Sequence, residues 1–515
     1  MVITILRLAF LVTAASAALS SAVVADELPT PEQVEAHIFV AEGPAIDSYR
    51  KVEETQAFGL VLRSVEVRSG SDFRIDLDEG PIHVESGSLA GQRWRQNANG
   101  QTILEQPGPG LVRPETQVAS VARITTPVDG YLLSSLDARG LGIKRYVEAA
   151  TWRVVRQDVV TATETQVTTF DDFRTVAGHT EAFHRKKTDG HVENDSDTHV
   201  VELTAAKIAA AQLAIPAPRR ALVEFPAGKT VVDVPVRLDR GKIIVRVDAG
   251  GRGLDFILDS GAAGIALDEG VAKQLRLTEF GSFSNAANAG RIRGSSAIVP
   301  LMKVGELTMR DVVVGTIPFS EQGDIGDYRA VGLLGFDFIG ALALKLDYHN
   351  ARVTAYDPTS FTPPDESHGF DLDIRLGSGQ PLTSITVNGA IAENFLIDTG
   401  SAGGIIFTDR FARRNPDALV DEGGGARMPF LAIHGVGGGN LETRAYQLKE
   451  VRIGSTIFRN FVAYSLQSRQ AYDASGFDGT IGPEFLRFFD VYFDYSDSKV
   501  YLIFNADANP SKVKS

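Results

Sequence analysis

The sequence predicts a mainly β protein whose larger, C-terminal part is internally duplicated. Three observations carry this. Strand-like runs alternate with turn signals along the N-terminal region. Two tripeptides, Asp259-Ser260-Gly261 and Asp398-Thr399-Gly400, stand 139 residues apart in matching surroundings. Downstream of each, a second set of residues repeats at a constant spacing of 147.

The first tripeptide closes the apolar run Phe256-Ile257-Leu258 and the second closes Phe395-Leu396-Ile397. Small residues follow each, Ala262-Ala263-Gly264 and Ser401-Ala402-Gly403, and then another apolar run. A strand ending in a carboxylate, a hydroxyl and a glycine places the acid on a tight turn. A lone copy would be read as an Asp capping its own backbone. The repeat argues otherwise: Gly335 and Gly482, Phe338 and Phe485, Asp347 and Asp494, Tyr348 and Tyr495, and Val353 and Val500 all keep the 147-residue offset. Gly305 with Gly454 and Arg310 with Arg459 keep one of 149.

Each half resembles a retropepsin-type aspartyl protease domain, with Asp-Ser/Thr-Gly first and then a hydrophobic-hydrophobic-Gly motif entering a short helix. The pair resembles a tandem, pepsin-like arrangement in one chain over about residues 222–508. The resemblance implies two acid-protease β-barrel lobes, residues 222–357 and 365–508, with the site between them. Asp259 and Asp398 would then be the catalytic pair of an aspartic endopeptidase, needing no metal, no cofactor and no covalent intermediate. Ser260, Gly261, Thr399 and Gly400 would support the active-site loops, and Gly335 and Gly482 would pack behind them. The fused pair implies a monomer forming an intramolecular pseudo-dimer.

The composition is that of an ordinary globular protein, with 515 residues, 43% hydrophobic and 23% charged. Lys and Arg total 51 against 65 Asp and Glu, a net charge of −14. That charge argues against nucleic acid and an anionic membrane face as the main partner, and the protease resemblance implies a peptide or protein substrate. Arg7, the apolar stretch Leu8 to Leu19, and Val23-Val24-Ala25 read as a cleavable signal peptide over residues 1–25. Cysteine is absent, which removes disulfides, thiolate chemistry and a lipobox. An exported protein without disulfides points to a bacterial periplasm or release from the cell.

Residues 26–213 form the N-terminal region. Pro31 to Ala41 is predicted helical, with Thr30 as N-cap and Pro31 at the first helical position. Strands are predicted over Leu60–Val67, Phe73–Leu77, Gln92–Gln96, Thr151–Val155 and Thr165–Phe170, with turns at Asn99-Gly100 and Asp189-Gly190. Proline-rich linkers fall at Ile215–Arg220 and Asp357–Asp365. The run around Trp94, Asn97 to Gly100, and Asp172 to Gly178 resemble the periplasmic lipoprotein-carrier family. That resemblance implies a curved antiparallel sheet wrapping a helix, and a lipid or lipoprotein as partner. It also frames the rival function, a non-catalytic lipid- or lipoprotein-binding protein on a protease-like scaffold.

Two neighbouring carboxylates cannot both ionise cheaply, so such a pair holds one proton over a wide pH range. One member can then act as base and the other as acid. A retropepsin also needs a flap. Gly435, Val436, Gly437 and Gly438 resemble a glycine-rich flap tip in the second half. The matching Asn288 to Gly294 carries Arg291 and Arg293, suited to acidic substrate groups or to ion pairing within a cleft wall. His179, His184 and His191 lack zinc-helix spacing, and no Gly-x-Ser-x-Gly elbow occurs.

Overall fold

The computed structural model describes residues 28–105, 119–136, 141–161, 164–287, 290–319, 329–377, 379–419, 432–434, 439–467 and 476–505. The predicted signal peptide, residues 1–25, lies outside them. Among the described residues, no helix is long and apolar enough to cross a membrane.

The protein is mainly β. A 13-stranded antiparallel sheet comes first. The chain runs outward from Ser48–Ala57 to Thr102–Glu105 at one edge, resumes at Ser120–Ile124 on the other, and returns to Ser196–Ala205 beside its starting strand. The helix Pro31–Glu42 begins at Thr30, whose side chain caps Gln33 N while Gln33 answers in a capping box. It buries Val34 and Ile38 against Leu133 and Val147 of the sheet. One predicted strand is displaced: Trp152 has φ +57°, so the chain turns there and the strand starts at Val154. A bulky residue in that region marks a turn, not an extended run.

Two eight-stranded mixed sheets follow, and they repeat strand for strand. The first runs Val236–Asp239, Lys242–Ala249, Arg252–Leu258, Gly332–Leu334, Ile265–Asp268, Leu307–Ile317, Gly290–Val304, Glu279–Ala287. The second runs Arg375–Gly377, Gln380–Val387, Ala390–Ile397, Gly479–Ile481, Ile405–Phe407, Thr456–Leu466, Asn440–Ile453, Ala432–His434. Each folds back on itself by one added pairing, Lys242–Ala249 with Gly290–Val304 and Gln380–Val387 with Asn440–Ile453. A six-stranded sheet joins the halves, and its central strands Ala343–Asp347 and Phe489–Asp494 pair antiparallel. Lys345 stands opposite Tyr492 there, and these two are 147 residues apart. A residue facing its own repeat equivalent marks a pseudo-twofold axis.

One apolar core runs through both halves and takes in Ile103 of the N-terminal sheet. The junction is polar as well as apolar. Asn99, 3% exposed, donates to Val313 O at 3.0 Å and accepts from Val313 N at 2.8 Å. Its turn also binds the proline-rich segment after the sheet: Arg219 N donates to Gly100 O, and Gln96 donates to Ala217 O. The segment read as a linker is thus tied to the N-terminal sheet. Asn99→Ala would strand a buried N–H and C=O, so it is expected to destabilise the protein by about 1–3 kcal/mol. Denaturant unfolding measures this, and a change below about 0.5 kcal/mol would show that the junction tolerates the loss.

Candidate active site

Each candidate aspartate follows a central strand. Arg252–Leu258 lies between an antiparallel neighbour, Lys242–Ala249, and a parallel one, Gly332–Leu334; Ala390–Ile397 is flanked in the same way. The ladder ends by fixing the acids themselves: Asp259 N donates to Leu334 O and Asp398 N to Ile481 O, both at 2.9 Å. The chain then turns sharply, and Gly261 N donates to Asp259 Oδ1 while Gly400 N donates to Asp398 Oδ1.

The two turns meet. Ser260 N donates to Thr399 Oγ1 and Thr399 N to Ser260 Oγ, each at 3.0 Å. Each hydroxyl then donates across the junction at 2.7 Å, Ser260 to Ile397 O and Thr399 to Leu258 O. Both residues are 1% exposed. The glycines next in line must lack a side chain. A Cβ on Gly261 would lie 2.7 Å from the Asp398 carboxyl, and one on Gly400 would lie 2.3 Å from that of Asp259. Gly335 and Gly482 sit behind the loops, where a Cβ would strike Gly264 O at 2.3 Å and Gly403 O at 2.4 Å.

The loops bring the two carboxyls together, and both aspartates are half-buried. Burial first, then the Asp398 charge, pushes Asp259 up to about 8. Asp398 is also raised by burial, while the Lys242 ammonium and a hydrogen bond from Asp259 pull it back down. The Lys242 ammonium pulls Asp259 down as well. Below the pair lie two symmetry-related tyrosines, Tyr348 and Tyr495, 6% and 5% exposed. Their hydroxyls find no hydrogen-bond partner among the described residues. Burial and the nearby carboxylates hold both phenols protonated.

Two further residues reach the site, and sequence reading assigned them no role. Lys242 donates to Gly400 O and Ser401 O. Asp337, in the motif after Gly335, accepts from Ile265 N at 3.1 Å and from Asn97 of the N-terminal sheet at 2.9 Å. Burial pushes Asp337 up to about 6, against the pull of these donors. For Asp337 the signal was its place in the repeat, where Glu484 stands in the second half.

The flap candidates Gly435, Val436, Gly437 and Gly438 lie outside the described residues. The first-half hairpin, Glu279–Ala287 with Gly290–Val304, leans on the N-terminal sheet. Arg291 donates to Glu164 at 2.7 Å and lies 3.5 Å from Asp189, and Ser284 N donates to Asn194 at 2.9 Å. Arg293 pairs with Glu269 at 3.2 Å. Both arginines are thus ion-paired within the protein, which fits a wall. Arg291→Ala is expected to accelerate hydrogen exchange across 279–304; unchanged protection there would show that the ion pairs do not hold the hairpin.

The three histidines read from the sequence do not converge. His184 instead stacks on His199 at 4.3 Å and bonds Asp171 and Asp197. Among the described residues, two sets of side chains have donor atoms close enough for a cation, His184 with Asp197 and His199, and Asp76 with His83 and Glu85. Both lie on the N-terminal sheet.

Raised carboxyls have a sign for stability. The folded pair holds its protons to higher pH than an unfolded chain, whose aspartates ionise near 4, so stability falls as pH rises from about 4 to about 8. Asp259→Asn removes the ionisation, so its melting temperature is expected to exceed that of the unmodified protein by about 2 °C or more at pH 7.5, with the gap closing below pH 4. A lower melting temperature at pH 7.5 would mean that the carboxyl is not held protonated by its surroundings.

Residues 245–338 match the aspartyl protease family model. No curated protein matches the chain. Among solved structures, the chain is similar to a LolA superfamily protein from Nitrosomonas europaea at 10% identity and a TM-score of 0.28. The match covers 36% of this chain and 98% of that one. A putative outer membrane lipoprotein-sorting protein domain from Vibrio parahaemolyticus is similar at 9% identity and a TM-score of 0.28, over 36% of this chain and 95% of that one. Asp259, its loop and the Gly335 motif all fall inside the family match.

Proposed function

We propose that the protein is an exported aspartic endopeptidase in which Asp259 and Asp398 act together on one water. The observation that carries this is the reciprocal bonding of Ser260 and Thr399, which sets each carboxyl against the glycine of the opposite loop about a pseudo-twofold axis. Scaffolding makes no demand for either acid, and placing two carboxyls side by side is unfavourable. In the proposed reaction the ionised carboxylate takes a proton from the water, which attacks the peptide carbonyl. The protonated partner donates to the carbonyl oxygen. The resulting gem-diol collapses as a proton returns to the leaving nitrogen. Activity requires the singly ionised pair, so it is expected to disappear as pH rises through about 8.

Export and a periplasmic or released location rest on the signal-like residues 1–25. A lipid- or lipoprotein-binding role for the N-terminal region is the second reading. One observation favours it: a cavity of about 240 Å³ between the N-terminal sheet and the first-half hairpin, lined by Phe58, Leu60, Leu62, Ile82, Phe280 and Phe283.

Digestion of an unbiased peptide library across pH 3 to 8 tests the enzymatic reading. Asp259→Ala and Asp398→Ala are each expected to lower turnover at least 1,000-fold while circular dichroism is unchanged, because neither carboxyl alone supplies both acid and base. Substantial turnover in either variant would remove the pair from the mechanism.

A further inference from the structure

The N-terminal sheet gathers two imidazoles and two carboxylates at the place where it splits. His179–Thr188 and Ser196–Ala205 pair from Lys187 with Ser196 up to His184 with His199, and the pairing ends at that rung. Beyond it each strand follows its other neighbour. Residues 179–183 stay with Thr165–Val176, and residues 200–205 stay with Ser48–Ala57. Directly opposite residues of an antiparallel pair share a face, as do residues two apart along one strand. Asp171 lies opposite His184, His184 lies opposite His199, and Asp197 stands two residues before His199. Four side chains from three neighbouring strands therefore project together. The imidazoles stack nearly parallel, their centres 4.3 Å apart.

Both rings reach one oxygen. His184 Nε2 lies 2.8 Å and His199 Nε2 3.1 Å from Asp197 Oδ1. On the other side of its ring, His184 Nδ1 lies 2.7 Å from Asp171 Oδ1. A carboxylate only accepts, so Nδ1 carries a hydrogen, and in the neutral ring Nε2 keeps its lone pair toward Asp197. An outer carboxylate on one ring nitrogen is the usual support of a metal-binding histidine. Zinc at about 2.0–2.1 Å from each ligand of a tetrahedron holds the ligand atoms about 3.3 Å apart, close to the spacing here. Two imidazoles and a carboxylate suit zinc and its borderline neighbours better than magnesium or calcium, which favour oxygen. The ammonium of Lys186 lies 3.4 Å from the other oxygen, Asp197 Oδ2. His199 is exposed, which opens the cluster to solvent. The second cluster differs, because Arg74 already donates to Asp76 at 2.7 Å and to Glu85 at 2.8 Å.

We propose that His184, Asp197 and His199, oriented by Asp171, bind a zinc-class divalent ion that clips the two strands together at their last rung. A fourth ligand from solvent completes the tetrahedron on the open side. A cross-link counts most at this rung, because the backbone ladder makes no bonds between the two strands beyond it. The site stands apart from the paired aspartates and does not rest on any peptidase activity.

Calorimetric titration of the full chain with zinc ion tests the site. One saturable equivalent is expected, which excess magnesium does not displace. His199→Ala and Asp197→Asn are each expected to weaken binding by about 10-fold or more, and Asp171→Asn by about 10-fold through loss of the outer bond. His83→Ala, in the other cluster, should leave the affinity unchanged. Circular dichroism checks that each variant is folded, and His199, being exposed, is the substitution the fold tolerates best. Cobalt in place of zinc should give the visible absorption of a tetrahedral ion, lost in His199→Ala. Hydrogen exchange reads the clip: zinc is expected to slow exchange in residues 179–184 and 199–205 of the unmodified chain but not of His199→Ala. No saturable binding, binding that survives both His199→Ala and Asp197→Asn, or binding lost only in His83→Ala would overturn the site. Zinc held there without slower exchange would overturn the clip.

Discussion

Everything in the duplicated part of the molecule depends on the four hydrogen bonds that lock Ser260 to Thr399. Two neighbouring carboxyls repel as soon as both ionise, so the site cannot hold itself together by its own charges. Neutral neighbours must supply the cohesion. A hydroxyl suits this because it accepts from one backbone N–H and donates to one carbonyl at once. Alanine could do neither, and each substitution would leave buried backbone groups of the other half unpaired. The bonds run between halves, so they fix the separation of the carboxyls more directly than packing within either half could.

The surrounding fold transmits that constraint outward. Each aspartate strand is held on both sides by ladder bonds, and the six-stranded sheet fixes the pseudo-twofold relation with Lys345 and Tyr492 at its centre. The carboxyls of Asp259, Asp398 and Asp337 all have raised ionisation, and all pull stability in the same direction as pH rises. The compensating stabilisation comes from apolar burial elsewhere, in the core shared by the halves and Ile103. Carboxyls held in this way are thereby a standing cost to the fold.

Much of this was legible in the sequence because it is local or repeated. An apolar strand ending in Asp-Ser-Gly or Asp-Thr-Gly encodes its own turn, and the 147-residue offset exposed the duplication that the matching sheets now display. The capped helix at Pro31 was legible from Thr30 and the proline for the same reason. Contacts across long sequence distances were not. Lys242 looks like any lysine after a turn, and nothing in its neighbourhood indicates that Gly400 and Ser401 receive it. Asn99-Gly100 reads as a hairpin turn, and so it is, but the reach of Asn99 to Val313 depends on tertiary placement alone. Trp152 was misread because an aromatic residue between Thr and Arg matches a strand pattern, while its positive φ is set by the loop around it.

The departures from symmetry point the same way. The N-terminal sheet attaches to the first half, through Asn99 at Val313, Asn97 at Asp337 and Glu164 at Arg291. Asp337 accepts the N-terminal turn directly behind the Asp259 loop. Lys242 leaves the same half but donates to the loop of the other. Its counterpart Gln380 makes the crossing contact in the opposite direction without a charge. A duplicated pair of equal lobes would present two equivalent loops, and the lysine together with the N-terminal contacts of the first half removes that equivalence.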